Sequence, residues 1–99
     1  MKIIMIDDER FALSELNEIL SEHYPDAEVS CFTETAPAIE FLKNNTCDVA
    51  FVDINMPDKT GLELAVELKD ICGGINIIFV TGYSQYAVDA FALNASGYI

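Results

Sequence analysis

Short apolar runs alternate along this chain with stretches in which apolar side chains recur every three or four positions. Ile3 to Ile6 and Val49 to Val52 are unbroken apolar runs, the pattern of strands covered on both faces, as in parallel sheets. Glu28 to Phe32 is a short strand candidate, Ile75 to Val80 a third apolar one, and Gly97-Tyr98-Ile99 opens a fifth. The segments between them carry the helical period. Phe11, Leu13, Leu16, Ile19 and Leu20 make one apolar stripe over Arg10 to Glu22, closed by Pro25-Asp26. Ala36 to Lys43 follows Thr33 and Thr35, with Ile39 and Leu42 facing inward and Pro37 tolerated in the first turn. Asn44-Asn45 stops it. Leu62 to Ile71 repeats the period through Leu62, Ala65, Val66 and Leu68, and Gly73-Gly74 closes it. A weaker helix, Gln85 to Leu93, carries Ala87, Val88, Ala90, Phe91 and Leu93.

Five strands and four helices in strict alternation predict a doubly wound α/β sheet in one domain spanning residues 1–99. Right-handed crossovers and a flavodoxin-like strand order of 2-1-3-4-5 place the switch point between the first and third strands. Those strands end in Asp7-Asp8 and in Asp53. The topology therefore gathers three carboxylates in the crevice where α/β folds bind ligands.

The chain carries 17 acidic against 5 basic residues, a formal net charge of −12. Such a surface repels nucleic acid and anionic membrane, and favours basic proteins or cations. The run after Lys2 is too short for a signal sequence, and no stretch approaches the roughly 20 apolar residues of a membrane span. Cys31, Cys47 and Cys72 are widely spaced, outside any Cys-x-x-Cys pattern, and read as small buried hydrophobes in a reducing compartment. A cytoplasmic domain is expected. His23, beside Pro25, reads as a surface residue.

Clustered carboxylates repel one another and raise at least one pKa unless a cation neutralises them. Magnesium suits such a site, because it takes a few carboxylate oxygens and keeps several waters. With the metal present, Asp53 can stay ionised and act as a nucleophile toward a phosphoryl group. Thr81 would offer a hydroxyl to a phosphate oxygen, and Gly82 an accessible backbone N–H. A metal site without chemistry, or an acidic edge that binds nothing, fits the same spacing.

Asp7-Asp8-Glu9, then Asp53-Ile54-Asn55-Met56-Pro57 with Gly61, then Val80-Thr81-Gly82, together resemble the receiver domain of two-component response regulators. The resemblance runs through the whole chain in order. It implies that Asp53 takes a phosphoryl group from a sensor histidine kinase. It also implies that Asp8, Asp53 and the Asn55 carbonyl hold Mg²⁺ directly, with Asp7 acting through a bound water. Thr81 would be the switch hydroxyl and Tyr98 the switch aromatic. The Tyr83-to-Phe91 segment, with Ala95-Ser96-Gly97-Tyr98, is similar to receivers of the LytTR transcription-factor group.

The family's lysine, a few residues past the switch aromatic, has no counterpart here, and Lys43, Lys59 and Lys69 occupy other segments. By that resemblance the chain is a receiver cut before its last helix, from a parent that continues into a basic DNA-binding domain. Without that helix, apolar sheet near Ile77, Phe79 and Ile99 is expected to lie uncovered and to favour self-association. The competing readings are a magnesium-dependent phosphohydrolase and a receiver-like module that only binds partners. The first lacks the Asp-x-Asp-x-Thr pattern of haloacid dehalogenases, and an intact acidic triad weakens the second.

Overall fold

The computed structural model describes residues 1–54, 56, 59–80 and, for their backbone alone, 97–98. Within them the order is β1 (Lys2–Ile6), α1 (Arg10–His23), β2 (Glu28–Phe32), α2 (Thr35–Asn44), β3 (Val49–Asp53), α3 (Gly61–Ile71), β4 (Asn76–Val80) and β5 (Gly97–Tyr98). The strands form one sheet in the order β2-β1-β3-β4-β5, and every pairing is parallel. The expected strand order and switch point are both present. The predicted helix over Gln85 to Leu93 lies outside the described residues.

The unbroken apolar runs are explained by helices on both faces of the sheet. Ile3, Met5, Val49, Phe51 and Ile78 pack with Leu13, Leu16 and Leu20 of α1 on one face. Ile4, Ile6, Ala50, Val52 and Ile77 pack with Leu42 of α2 and Leu64 and Leu68 of α3 on the other. Alternate residues of a strand thus feed two cores, and no polar residue falls between Ile3 and Ile6 or between Val49 and Val52.

One helix, α3, meets the sheet through a different face than its apolar spacing suggests, and α1 departs from its expected stripe at one position. In α3 the buried positions are Gly61, Leu64 and Leu68, while Leu62 and Val66 are 66% and 63% exposed. This helix carries apolar residues around most of its circumference, so the period is clear but the rotational setting is not. The setting comes from its first turn. Thr60 accepts from the Glu63 N–H at 3.1 Å, the Glu63 carboxylate accepts from the Thr60 N–H at 3.3 Å, and Gly61 donates to the Ile54 carbonyl at 2.8 Å. The helix accordingly begins at Gly61, one residue before its apolar period does. In α1, Phe11 is 79% exposed, on the side of the helix opposite Leu13, Leu16 and Leu20.

Two further expectations are corrected. Ile77 is 6% exposed and belongs, with Phe79 packed against it, to the core under α2 and α3. Ile77 does not lie on an uncovered face, because odd-numbered residues of β4 point toward those two helices, and Phe79 on the same side is half-buried. Ile99 lies outside the described residues. Cys31 is exposed, since β2 is the edge of the sheet, whereas Cys47 is buried and Cys72 half-buried. His23 is exposed as expected, its ring nitrogen 3.0 Å from the Ile19 carbonyl.

Candidate functional site

β1 and β3 run side by side in register, Ile6 opposite Val52, so the residues that follow each pair emerge together at the same sheet edge. Asp53 is the last residue of β3, and Asp7 and Asp8 follow β1 directly. One ligand oxygen from each of Asp7, Asp8 and Asp53 lies within 4.8 Å of the others. Asp7 and Asp53 are half-buried, and Asp8 is exposed. The chain is pinned on both sides of the turn. The Asp7 N–H donates to the Phe32 carbonyl at 3.0 Å, and the Asp7 carboxylate accepts the Glu9 N–H at 2.9 Å.

The electrostatics follow from this placement. Burial pushes the Asp7 carboxyl up to about 6 from the usual 3.8; the Glu9 N–H opposes the shift, and the charges of Asp53, Asp8 and Glu9 add to it. Desolvation, rather than the mutual repulsion expected from the sequence, is the largest cause. A cleft of about 10 Å³ beside the two aspartates is lined by Leu13, Phe51 and Val80 among others, which keeps the local environment apolar. Three oxygens so close, two of them withdrawn from bulk water, suit a small hard cation with oxygen ligands. The fit rests on the donor set itself.

The other expected site residues are not all within view. Asn55, Thr81 and Gly82 lie outside the described residues. Tyr98 is placed by its backbone only, in β5 opposite Phe79. Lys59, in the loop after β3, pairs with Glu67 of α3 at 2.7 Å. Two contributors lie outside the apolar period: the Thr60–Glu63 cap, whose Thr-x-x-Glu spacing is a sequence signal, and the main-chain N–H of Glu9, which has none.

The sequence profile of the response regulator receiver domain matches residues 3–99. The chain belongs to that family. This receiver domain is 38% identical over 99 residues to the transcriptional regulatory protein LytR of Staphylococcus aureus, covering 100% of the chain and 40% of LytR. That likeness bears out the LytTR-group reading. The chain thus spans about two fifths of the length of the curated relatives it matches. Among solved structures, it is 34% identical to the response regulatory domain of mrkE from Klebsiella pneumoniae, with a TM-score of 0.77, covering 100% of this chain and 81% of that one. It is 30% identical to the response regulator TrrA of Thermotoga maritima, solved in complex with Mg²⁺ and BeF, with a TM-score of 0.76, covering 99% of this chain and 84% of that one. Among the described residues, no helix is long and apolar enough to cross a membrane.

Proposed function

We propose that this receiver is the phosphoacceptor of a two-component system, with Asp53 accepting the phosphoryl group of a sensor histidine kinase. The observation that carries this reading is the convergence of Asp7, Asp8 and Asp53 at the switch point of the sheet. In the transfer, an oxygen of the Asp53 carboxylate bonds to phosphorus as the phosphorus–nitrogen bond of the donor phosphohistidine breaks. The electron pair and a proton end on the histidine ring. Asp53 suits this role because β3 is hydrogen-bonded on both sides, by β1 and β4, so its carboxylate is held rather than searched for.

Asp7, Asp8, Asp53 and the Asn55 carbonyl would hold Mg²⁺. Bound there, the ion supplies positive charge that keeps the carboxylates ionised and offsets charge developing on the phosphoryl oxygens. Asp7 and Asp8 otherwise set the negative field that selects a cation. Thr81 and the Gly82 N–H would receive phosphoryl oxygens, and Tyr98 would report the Thr81 movement to the surface around β5. Through that surface the domain would govern self-association and a downstream DNA-binding domain, controlling transcription from the cytoplasm.

Acetyl phosphate with Mg²⁺ provides the test, since a small donor bypasses the kinase. Intact-protein mass spectrometry of the full-length regulator is expected to show one acid-labile phosphoryl adduct on Asp53, absent in Asp53→Asn. Undiminished labelling of Asp53→Asn removes Asp53 from the role.

A further inference from the structure

Gly61 stands where no other residue fits, and the reason is not its backbone conformation. A Cβ at this position would lie 2.7 Å from the Asp53 carbonyl oxygen and 2.8 Å from the Ile54 Cα. Both neighbours are main chain, so no side chain can swing aside. By contrast, a Cβ at Gly73 would come no nearer than 4.0 Å to another atom, and one at Gly74 would meet nothing within 4 Å. The first turn of α3 is therefore seated directly on the peptide that joins Asp53 to Ile54. The Gly61 N–H completes the contact through its 2.8 Å bond to the Ile54 carbonyl.

We infer that Gly61 is a positioning residue for the acidic site: the close seat of α3 fixes the Asp53–Ile54 peptide and thereby the direction of the Asp53 carboxylate. This rests on the reading of Asp53 as a metal-binding phosphoacceptor. Neither side of the contact can easily yield. α3 is anchored by the buried Leu64 and Leu68 and by the Thr60–Glu63 cap. Asp53 is anchored by its register with Val80 of β4. Between two fixed bodies, the rotatable element is the 53–54 peptide, one bond from the Cα that carries the carboxylate. A methyl at residue 61 would turn that peptide and draw the Asp53 oxygens away from those of Asp7 and Asp8. A shift of this kind in a supporting contact costs about 10- to 100-fold in metal affinity.

The test compares Gly61→Ala, Gly74→Ala, Leu64→Ala and the Gly61→Ala/Leu64→Ala pair in the full-length regulator. Mg²⁺ affinity is measured by calorimetry, well below each melting temperature, and amide exchange is followed at residues 54 and 61. Gly61→Ala is expected to bind Mg²⁺ about tenfold or more weakly and to lose protection at residue 61. Gly74→Ala and Leu64→Ala are expected to stay within about twofold of the parent, since neither touches the 53–54 peptide. The double variant is expected to regain part of the affinity while losing stability, because a loosened α3 can back away from Asp53. A purely structural role would move both quantities down together. Gly61→Ala affinity within twofold of the parent overturns the proposal. So does a Gly61→Ala chain that stays unfolded even with a stabilising osmolyte, since the contact then holds the fold and not the site. If the parent itself binds no Mg²⁺, the metal-site reading fails, and the positioning claim is judged on exchange at residues 54 and 61 alone: lost protection in Gly61→Ala but not in Leu64→Ala sustains it, and equal protection ends it.

Discussion

The two ends of strands β1 and β3 both carry aspartate, and the fold treats it in opposite ways. At the N-terminal end, the chain closes on itself. The Lys2 N–H donates to the Asp48 carboxylate at 2.8 Å, the Asp48 N–H donates to the Lys2 carbonyl at 2.8 Å, and the Asn76 N–H donates to the Asp48 carbonyl at 3.0 Å. The Cys47 thiol adds donations to the carbonyls of Val49 at 3.1 Å and Lys2 at 3.4 Å. At the C-terminal end, three carboxylates face one another within 4.8 Å, and one of them is held near pKa 6. An acid that the polypeptide satisfies is structural. A group of acids crowded at one edge is where the proposed cation would sit, at some cost to stability.

The widest gap between the two ends is expected in their response to metal. Mg²⁺ at about 100 times its dissociation constant stabilises a one-site protein by about 2.7 kcal/mol. Thermal melts should show that gain in the parent and its loss in Asp8→Ala. A shift of equal size in Asp8→Ala would place the ion elsewhere.

The pH dependence separates the ends next. The Asp7 carboxyl sits near 6 in the folded chain against 3.8 as its ordinary value, so folding favours its protonated form. That preference is fully present below about pH 3.8 and is lost as pH rises through about 6. Without metal, Asp7→Asn is expected to be more stable than the parent at pH 7 by roughly 1 kcal/mol, after screening by solvent, and to converge with it near pH 4. Because metal needs the ionised acid, Mg²⁺ affinity of the parent should rise across the same window. Melts from pH 4 to 7, with and without Mg²⁺, check both signs.

Asp48→Ala should behave as a structural change alone. Loss of its hydrogen bond from Lys2 is expected to cost about 1 kcal/mol, with Mg²⁺ affinity unchanged by calorimetry. A weakened metal site in that variant would mean that the two ends are coupled through the sheet. The smallest effect is expected from Lys59→Met. Its pairing with Glu67 is partly exposed, so the change in melting should correspond to about 0.5 kcal/mol. Mg²⁺ affinity should stay level, whereas tighter binding would show that Lys59 had been lending its charge to the acids.

Much of this was legible in the chain itself. An apolar run that stops at Asp7 or Asp53 declares a strand buried on both faces and the point at which it leaves the core, because burial tolerates no charge until the edge is reached. Strict alternation of strands and helices then implies a parallel, doubly wound sheet, and in the order 2-1-3-4-5 that the structure shows the switch point brings Asp7, Asp8 and Asp53 together. Local composition cannot supply phase and proximity. Leu62 and Val66 match the helical period as well as Leu64 and Leu68 do, and only the seat of the first turn of α3 on β3 chose between them. Cys31 and Phe11 read as core residues until the sheet edge and the setting of α1 left them exposed. Ile77 found its helices by strand parity. The rise of the Asp7 carboxyl comes mainly from how much water the packed fold removes, and the need for glycine at Gly61 from an atom 2.7 Å away on another element. Periodicity is a property of one segment, whereas desolvation and close approach exist only once two segments have met.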